Sequence, residues 1–316
     1  MTVAPGFEAI QAARVRIAGR VRCTPVLSSE ALDQELRATL FFKCENLQLS
    51  GAFKARGAFN AVLSLSPEEA ARGVVTHSSG NHGAALALAA RSRGIAAHVV
   101  APRTTPASKQ QNMQRYGARL QLCEPTLAAR QSAAEQIVAT TGATLIHPYD
   151  NAAVMAGQGT VALELLEQVP DLEVIVCPIG GGGLISGAAV AVHGIDARIV
   201  VLGAEPAGAD DALRSRHAGV ITPVSKPSSL ADGLLATIAP STFAVISTQV
   251  DAVGTVTEVE IVAAMRRIWE ELRILIEPSS AVPVAALLNG SLNVAGRRVG
   301  IVLTGGNVDL QRLPWT

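Results

Sequence analysis

Short apolar runs alternate along the chain with longer stretches of helical periodicity. Residues 40–43, 74–77, 97–101, 120–123, 174–177, 199–203 and 300–303 read as strands. Most are apolar at nearly every position, as in parallel strands covered on both faces. Helix starts with clear caps lie between them. Ser66-Pro67-Glu68-Glu69 is a capping box with proline at the first helical position, and Thr257-Glu258-Val259-Glu260 is a second box. The alternation predicts an α/β fold of mostly parallel sheets covered by helices. No repeat, low-complexity tract or long linker interrupts it, and 316 residues suffice for a large core in two lobes.

Three interruptions of this pattern carry the candidate chemistry. Ser50-Gly51-Ala52-Phe53-Lys54-Ala55-Arg56-Gly57 sets one lysine between glycines in nearly apolar surroundings, and only Lys43, Lys54 and Lys109 precede position 200. A desolvated lysine has a lowered pKa, and its free amine can form an imine with a carbonyl cofactor. The plain alternative is a surface lysine opening a helix through residues 58–63. Next, Thr76-His77-Ser78-Ser79-Gly80-Asn81-His82-Gly83 follows a strand and opens an Ala/Leu helix at 84–91. Free amides and the positive end of the helix dipole attract an anion there. An ordinary cap needs one polar residue, not five. Finally, Val174-Ile175-Val176-Cys177-Pro178-Ile179 runs into Gly180-Gly181-Gly182-Gly183-Leu184-Ile185-Ser186-Gly187. Consecutive glycines let successive amides point inward as a nest for phosphate. No register gives Gly-x-Gly-x-x-Gly, and no lysine follows at the place a Walker loop requires. A phosphate clamp without nucleotide signatures fits a small phosphorylated cofactor; four glycines are too costly in backbone entropy for a mere connection.

An imine-forming lysine, a phosphate cup and an Asn-bearing loop together describe a site for pyridoxal 5'-phosphate. In these motifs the chain resembles the serine racemase/threonine dehydratase family of fold-type II pyridoxal-phosphate enzymes, which are tryptophan synthase β-like. The resemblance runs from Cys23-Thr24-Pro25-Val26 to Leu303-Thr304-Gly305-Gly306-Asn307-Val308-Asp309. It takes in Phe42-Lys43-Cys44-Glu45-Asn46, Gly157-Gln158-Gly159-Thr160 and Ala231-Asp232-Gly233. The chain is most similar to the single-module branch with serine racemase and threo-3-hydroxyaspartate dehydratase. The resemblance implies two lobes, each with a helix-covered, mostly parallel sheet. A small mobile lobe would span 73–150, and a large cofactor-binding lobe would combine 1–72 with 151–316. No C-terminal regulatory extension follows Asp309, so feedback inhibition by isoleucine is not expected.

The resemblance also implies roles. Lys54 would hold the cofactor and then act as a base on one face of the substrate Cα. Phe53 would cover the cofactor ring and Gly233 would leave room on its other side. Asn81 would donate to the phenolic oxygen, and Gly180, Gly181, Gly182, Gly183 and the Leu184 amide would hold the phosphate. Thr304, where close relatives most often have serine, would meet the pyridine nitrogen with its hydroxyl. A hydroxyl partner leaves that nitrogen largely unprotonated, which favours expulsion of a β-hydroxyl over a persistent carbanion. The expected reaction is dehydration of a β-hydroxy amino acid to a 2-oxo acid and ammonia. Ser79 would be either a second base opposite the lysine, as racemisation needs, or a ligand of the α-carboxylate beside Ser78, Asn81 and His82.

Two positions bear on the substrate. Arg130 falls where serine racemase has an arginine near a distal carboxylate, which favours L-threo-3-hydroxyaspartate; it also opens a solvated helix face. Ala236 stands where serine racemase has a serine, which makes the pocket more apolar and keeps threonine, serine or a bulkier phenylserine in view. Ala204-Glu205-Pro206-Ala207-Gly208-Ala209-Asp210-Asp211 matches the family's divalent-cation loop. Glu205, the Ala209 carbonyl and Asp211 would be oxygen ligands for Mg²⁺, Ca²⁺ or Mn²⁺. An acidic turn after a strand is the alternative, and the six histidines show no zinc spacing.

Composition narrows the partners. With 26 basic and 26 acidic residues, nothing calls for nucleic acid or an anionic membrane. No apolar run approaches the ~20 residues of a membrane span, and the first residues lack the pattern of a signal peptide. Cys23, Cys44, Cys123 and Cys177 lie far apart and are expected as buried free thiols in a reducing cytoplasm. The expected partners are a small amino-acid substrate and a second copy of the chain in a homodimer. Two other classes fit the motifs less well. A β-replacement enzyme usually reads Thr-Ser-Gly-Asn-Thr in the Asn loop, where His82 takes the last place here. A sensor without catalysis would not need both Lys54 and Ser79.

Overall fold

Ten strands form in the computed structural model, which describes residues 2–311 and 313–315; Met1, Arg312 and Thr316 lie outside that description. In chain order they are β1 (Val26–Leu27), β2 (Thr39–Cys44), β3 (Val74–His77), β4 (Ala97–Pro102), β5 (Ala118–Cys123), β6 (Thr144–Leu145), β7 (Val174–Pro178), β8 (Val200–Pro206), β9 (Ala252–Val256) and β10 (Arg298–Leu303). Six make a sheet in the order β1-β2-β10-β7-β8-β9, parallel throughout except for β1. The other four make a fully parallel sheet, β5-β4-β3-β6. All seven strands expected from the sequence form. The one expected at 199–203 instead runs from Val200 to Pro206, which places Glu205 at its end. The three unexpected strands have weak signals. β1 and β6 are two residues long, too short to show a period, and β9 is interrupted by Gly254.

Side-chain alternation splits the larger sheet into two cores. Ile175, Cys177, Val201 and Val302 pack on one face with the helices Ala152–Gln168 and Gly183–Ile195. Val174, Val176, Leu202, Val299, Ile301 and Leu303 pack on the other with Glu258–Leu272 and Pro278–Leu288. Burial on both faces explains why these strands read as unbroken apolar runs. The smaller sheet is covered by the helix Asn81–Ser92 on one side and Leu127–Thr141 on the other. Both capping boxes form as the sequence predicts. The cysteines are free, but the expectation of burial is only half met. Cys44 and Cys177 are buried, Cys123 is half-buried and Cys23 is exposed.

The helix Lys54–Leu63 is pinned to this frame by a buried group of charges. Arg56 donates from Nε and Nη2 to both oxygens of Glu45 at 2.9 and 2.7 Å, and from Nη1 and Nη2 to both oxygens of Glu164 at 3.0 and 2.8 Å. Lys43 Nζ completes the set with Glu164, the Thr24 carbonyl and Gln168 at 2.6 to 2.7 Å. Lys43 and Glu45 are fully buried and Arg56 is 1% exposed. Two cations meet two anions, and the ammonium's three donors are all used, so the cost of desolvation is offset. Burial pushes the Glu164 carboxyl up, but the Arg56 fork and Lys43 pull it down to about 2. The two helices also approach closely. A Cβ on Gly157 would lie 2.6 Å from the Arg56 carbonyl oxygen.

Removing one member of such a group strands the others. Arg56→Met is therefore expected to destabilise the fold by about 3–5 kcal/mol, read as a lower midpoint in urea denaturation. Because Glu164 is depressed from 4.5 to about 2, its stabilisation is complete above pH 4.5 and is lost as pH falls toward 2. In Arg56→Met that acid limb should flatten.

Candidate active site

In the larger sheet β7 and β10 are neighbours, with β8 and β9 on one side and β2 on the other. Chain segments leaving the carboxyl ends of strands at such a reversal open a crevice. The glycine loop leaves β7 there, and Thr304 directly follows β10. Gly180 to Gly183 are buried, Gly182 has φ +84°, and no side chain caps the helix Gly183–Ile195 that begins in the loop. Its first amides therefore lack intrahelical acceptors, an arrangement that favours an anion. A Cβ at Gly181 would sit 2.4 Å from the Tyr149 ring, so only glycine lets the loop lie under that tyrosine. The Leu184 side chain is buried behind the loop.

Lys54 is brought to the same place by backbone. The Phe53 N–H donates to the Thr304 carbonyl at 3.0 Å, and Ala52 bridges Gly305. Lys54 Nζ lies 4.9 Å from the centre of the Phe53 ring and donates to the Pro148 carbonyl at 3.1 Å. Burial lowers its pKa from 10.5 to about 8, only partly opposed by the charge of Glu277. A substantial fraction is thus free amine at mildly alkaline pH. The Thr304 hydroxyl is buried and 3.0 Å from that of Ser280. Gly233 is exposed at the cleft edge, and its N–H donates to Ser279 at 3.2 Å.

The smaller sheet contributes the opposite wall. β3 ends at His77, and Ser78, Ser79 and Gly80 lead into the helix Asn81–Ser92, which has no side-chain cap. Ser78 Oγ accepts from the Gly80 N–H at 3.3 Å, while Ser79 is exposed. Asn81 Nδ2 donates to Glu277 at 2.8 Å. His82 is buried, with Nε2 3.3 Å from the Ile146 carbonyl. A carbonyl only accepts, so that nitrogen carries the proton, and burial keeps the ring neutral. Its buried Nδ1 has no partner among the described residues and no hydrogen to give. The ring therefore has no donor left for the carboxylate expected of it.

Residues that the motifs do not flag close the site. Tyr149 packs edge-on to His147, with ring centres 4.6 Å apart, and His147 packs edge-on to His77 at 5.1 Å. Burial pushes His147 down to about 4, so it is neutral, and its Nδ1 accepts the Asp150 N–H at 2.9 Å. Arg130, in the helix Leu127–Thr141, acts on this wall. Its positive charge adds to burial in lowering the pKa of His77 and opposes the rise of Tyr149. Arg130 Nε is buried without a hydrogen-bond partner among the described residues. Glu277 is also buried, and burial raises its carboxyl to about 7. Before Pro278 it reads merely as a residue preceding a helix, which is why sequence reasoning passed it over.

The expected cation ligands lie where β8 runs toward the helix Asp211–Ala218, and the Asp211 charge reaches Tyr149. Glu205 accepts the Ala212 and Leu213 N–H groups at 3.0 and 2.9 Å, and Asp211 accepts that of Ile238 at 2.8 Å. Burial raises Glu205 to about 8 and Asp211 to about 6. Among the described residues no three His, Cys, Asp or Glu side chains cluster as metal ligands. The donor set here is two carboxylates and a carbonyl, which suits a hard cation that keeps waters.

The crevice fits pyridoxal phosphate: an amine of lowered pKa, uncapped amides over a glycine loop, and a buried hydroxyl at the end of the neighbouring strand. Comparison with known proteins agrees. Residues 17–305 match the family described as pyridoxal-phosphate dependent enzyme. The chain is 47% identical to the beta-hydroxyaspartate dehydratase of Paracoccus denitrificans over 311 residues, covering 98% of this chain and 99% of that one. It is 48% identical to the serine racemase of Arabidopsis thaliana over 309 residues, covering 96% and 93%. The structure of maize serine racemase superposes with a TM-score of 0.96 at 45% identity, covering 98% and 96%. The chain has the fold-type II architecture expected from its motifs, and it belongs to the family of pyridoxal-phosphate dependent enzymes.

Proposed function

We propose that this enzyme dehydrates a β-hydroxy amino acid with a second carboxylate, L-threo-3-hydroxyaspartate, giving a 2-oxo acid and ammonia. The observation that carries the choice of substrate is Arg130. Its Nε is buried without a partner among the described residues, and its charge is felt by His77 and Tyr149. It also lies in the first turn of its helix, where the dipole disfavours a cation. A guanidinium so placed gains from an anion brought by a ligand. The 47% identical beta-hydroxyaspartate dehydratase supports the same reading.

When bound, the cofactor supplies the electron sink that makes the Cα proton removable and the β-hydroxyl a leaving group. Lys54 Nζ holds the cofactor and then takes the Cα proton, for which a pKa near 8 is well matched to mildly alkaline pH. The amides of Gly180 to Leu184 would hold the phosphate, Phe53 and Gly233 would flank the ring, and Asn81 and Thr304 would offer hydrogen bonds to its oxygen and nitrogen. Ser78, Ser79 and the uncapped amides of the Asn81 helix receive the α-carboxylate, and Arg130 the distal one. His82 packs beneath them. Loss of the β-hydroxyl as water, followed by addition of water and release of ammonia, balances the reaction.

A second reading, racemisation, draws support from the exposed Ser79 at the head of the Asn loop. Keto-acid release measured beside chiral analysis of the recovered amino acid separates the two. We also propose that 73–150 moves as a small lobe against 1–72 with 151–316, since the four-stranded sheet lies wholly within the former range. The homodimer is proposed on the family resemblance, with sedimentation as its test. A divalent cation at Glu205, Ala209 and Asp211 would offset two buried carboxylates. Among the described residues no helix is long and apolar enough to cross a membrane.

Lys54→Ala should lose turnover on every substrate while its circular dichroism and melting curve stay native-like; substantial turnover without added amines would remove Lys54 from this role. Arg130→Ala should depress kcat/KM for 3-hydroxyaspartate by about 30-fold or more, from ~2–5 kcal/mol of lost ionic contact, and change that for threonine little. Ala236→Ser should shift preference further toward the acidic substrate. Equal losses on all substrates, or a wide wild-type preference for threonine or phenylserine, would make Arg130 structural. EDTA should lower the melting temperature, with Mg²⁺, Ca²⁺ or Mn²⁺ restoring it; indifference to both removes the cation.

A further inference from the structure

Asn81 is held by two side chains from the other end of the sequence. Its Nδ2 donates to Glu277 Oε1 at 2.8 Å, and its Oδ1 accepts from Asn307 Nδ2 at 2.8 Å. Asn307 Nδ2 also donates to the Ser50 carbonyl at 2.7 Å. The Ser50 end of this relay can only accept. A backbone carbonyl cannot donate, so Asn307 must turn its amino group toward Ser50. The second hydrogen of that group then needs an acceptor on Asn81, which is Oδ1. The Asn81 amino group is left facing the Glu277 carboxylate. Flipping either amide would set like groups against each other, so connectivity alone settles the orientation.

The orienting side chains are themselves closely seated. A Cβ on Gly51, where φ is +75°, would lie 2.4 Å from Asn307 Oδ1, and one on Gly305 would lie 2.6 Å from Glu277 Oε1. A side chain at either glycine would meet the polar end of Asn307 or Glu277 and displace it. Asn81 Nδ2 has two hydrogens, and Glu277 takes one. The other has no protein acceptor among the described residues, on a half-buried residue that opens a helix at the crevice.

We propose that Asn307 and Glu277 are positioning residues that make Asn81 present an N–H, and not its carbonyl, to the phenolate oxygen of pyridoxal phosphate. The proposal rests on the reading of Asn81 as a cofactor contact and adds what decides the sign of that contact. An N–H stabilises the oxyanion; a carbonyl in its place repels it. The Gly305-Gly306-Asn307 segment thus acts through Asn81, although Asn307 itself is assigned no contact with cofactor or substrate.

A double-mutant cycle on the holoenzyme tests this, read by the visible absorption band of the bound cofactor and by its dissociation constant. Asn307→Asp keeps the shape but only accepts, so it attracts the Asn81 amino group and opposes its carbonyl. Loss of one hydrogen bond to a charged group predicts cofactor binding weaker by about tenfold or more, with a displaced band. Asn81→Ala should do the same, and Asn307→Asp should add nothing in its background. Should Asn307→Asp fail to fold, Asn307→Ala carries the same expectation, and melting of each protein without cofactor reports any general loss of stability. An unchanged band and affinity in the Asn307 variants, or losses that add to those of Asn81→Ala, would overturn the proposal alone. If Asn81→Ala itself leaves band and affinity unchanged, the reading of Asn81 fails and the proposal fails with it.

Discussion

A guanidinium that water does not reach must find its anions inside the protein, and in this fold the site is built around that requirement. Arg56 lies two residues beyond Lys54 and is gripped by Glu45 from the end of β2 and Glu164 from the helix Ala152–Gln168. Each tethered element also carries part of the crevice. The helix of Arg56 begins with Lys54. The helix of Glu164 is preceded by Pro148 and Tyr149, which touch the lysine and the glycine loop. The lysine is thus placed by charges pointing away from it. Rigidity at a catalytic amine comes from packing and hydrogen bonds in the shell behind it.

Two helices from different sheets aim uncapped N-termini at one crevice, Gly183–Ile195 from the larger sheet and Asn81–Ser92 from the smaller. Each such end favours an anionic group of a ligand, which is the placement proposed above for phosphate and carboxylate. Burial then sets protonation. It lowers Lys54 to about 8 and raises Glu277 to about 7, so each group moves toward its neutral form. Glu277 opposes the fall of Lys54 by its charge. Desolvation also lowers the histidines of the wall, helped by the charge of Arg130 at His77 and of Lys54 at His82 and His147.

Much of this was legible in the chain. Seven strands, two capping boxes, the lysine loop, the glycine loop and the Asn loop are local patterns, written in residues that are consecutive or nearly so. Strands buried on both faces show as apolar runs, and anion-binding loops show as glycine or polar clusters between a strand and a helix. Such signals survive because backbone conformation and capping depend on neighbours a few residues away. They determined the α/β class and the pyridoxal-phosphate chemistry of the family.

Tertiary structure decided the rest, because the deciding contacts join residues far apart in sequence. Nothing local distinguishes Glu277, which meets Asn81 and acts on Lys54 only once β10 lies between β2 and β7. His82 looks like a carboxylate donor in its motif, yet its one proton is committed to the Ile146 carbonyl. Arg56 and Lys43 sit in motifs whose local surroundings are largely apolar, while the carboxylate they share comes from Glu164, more than a hundred residues away. A side chain's donors and charge are given by its identity. Which partner consumes them, and therefore what remains for a ligand, is set by distances that only the folded chain defines.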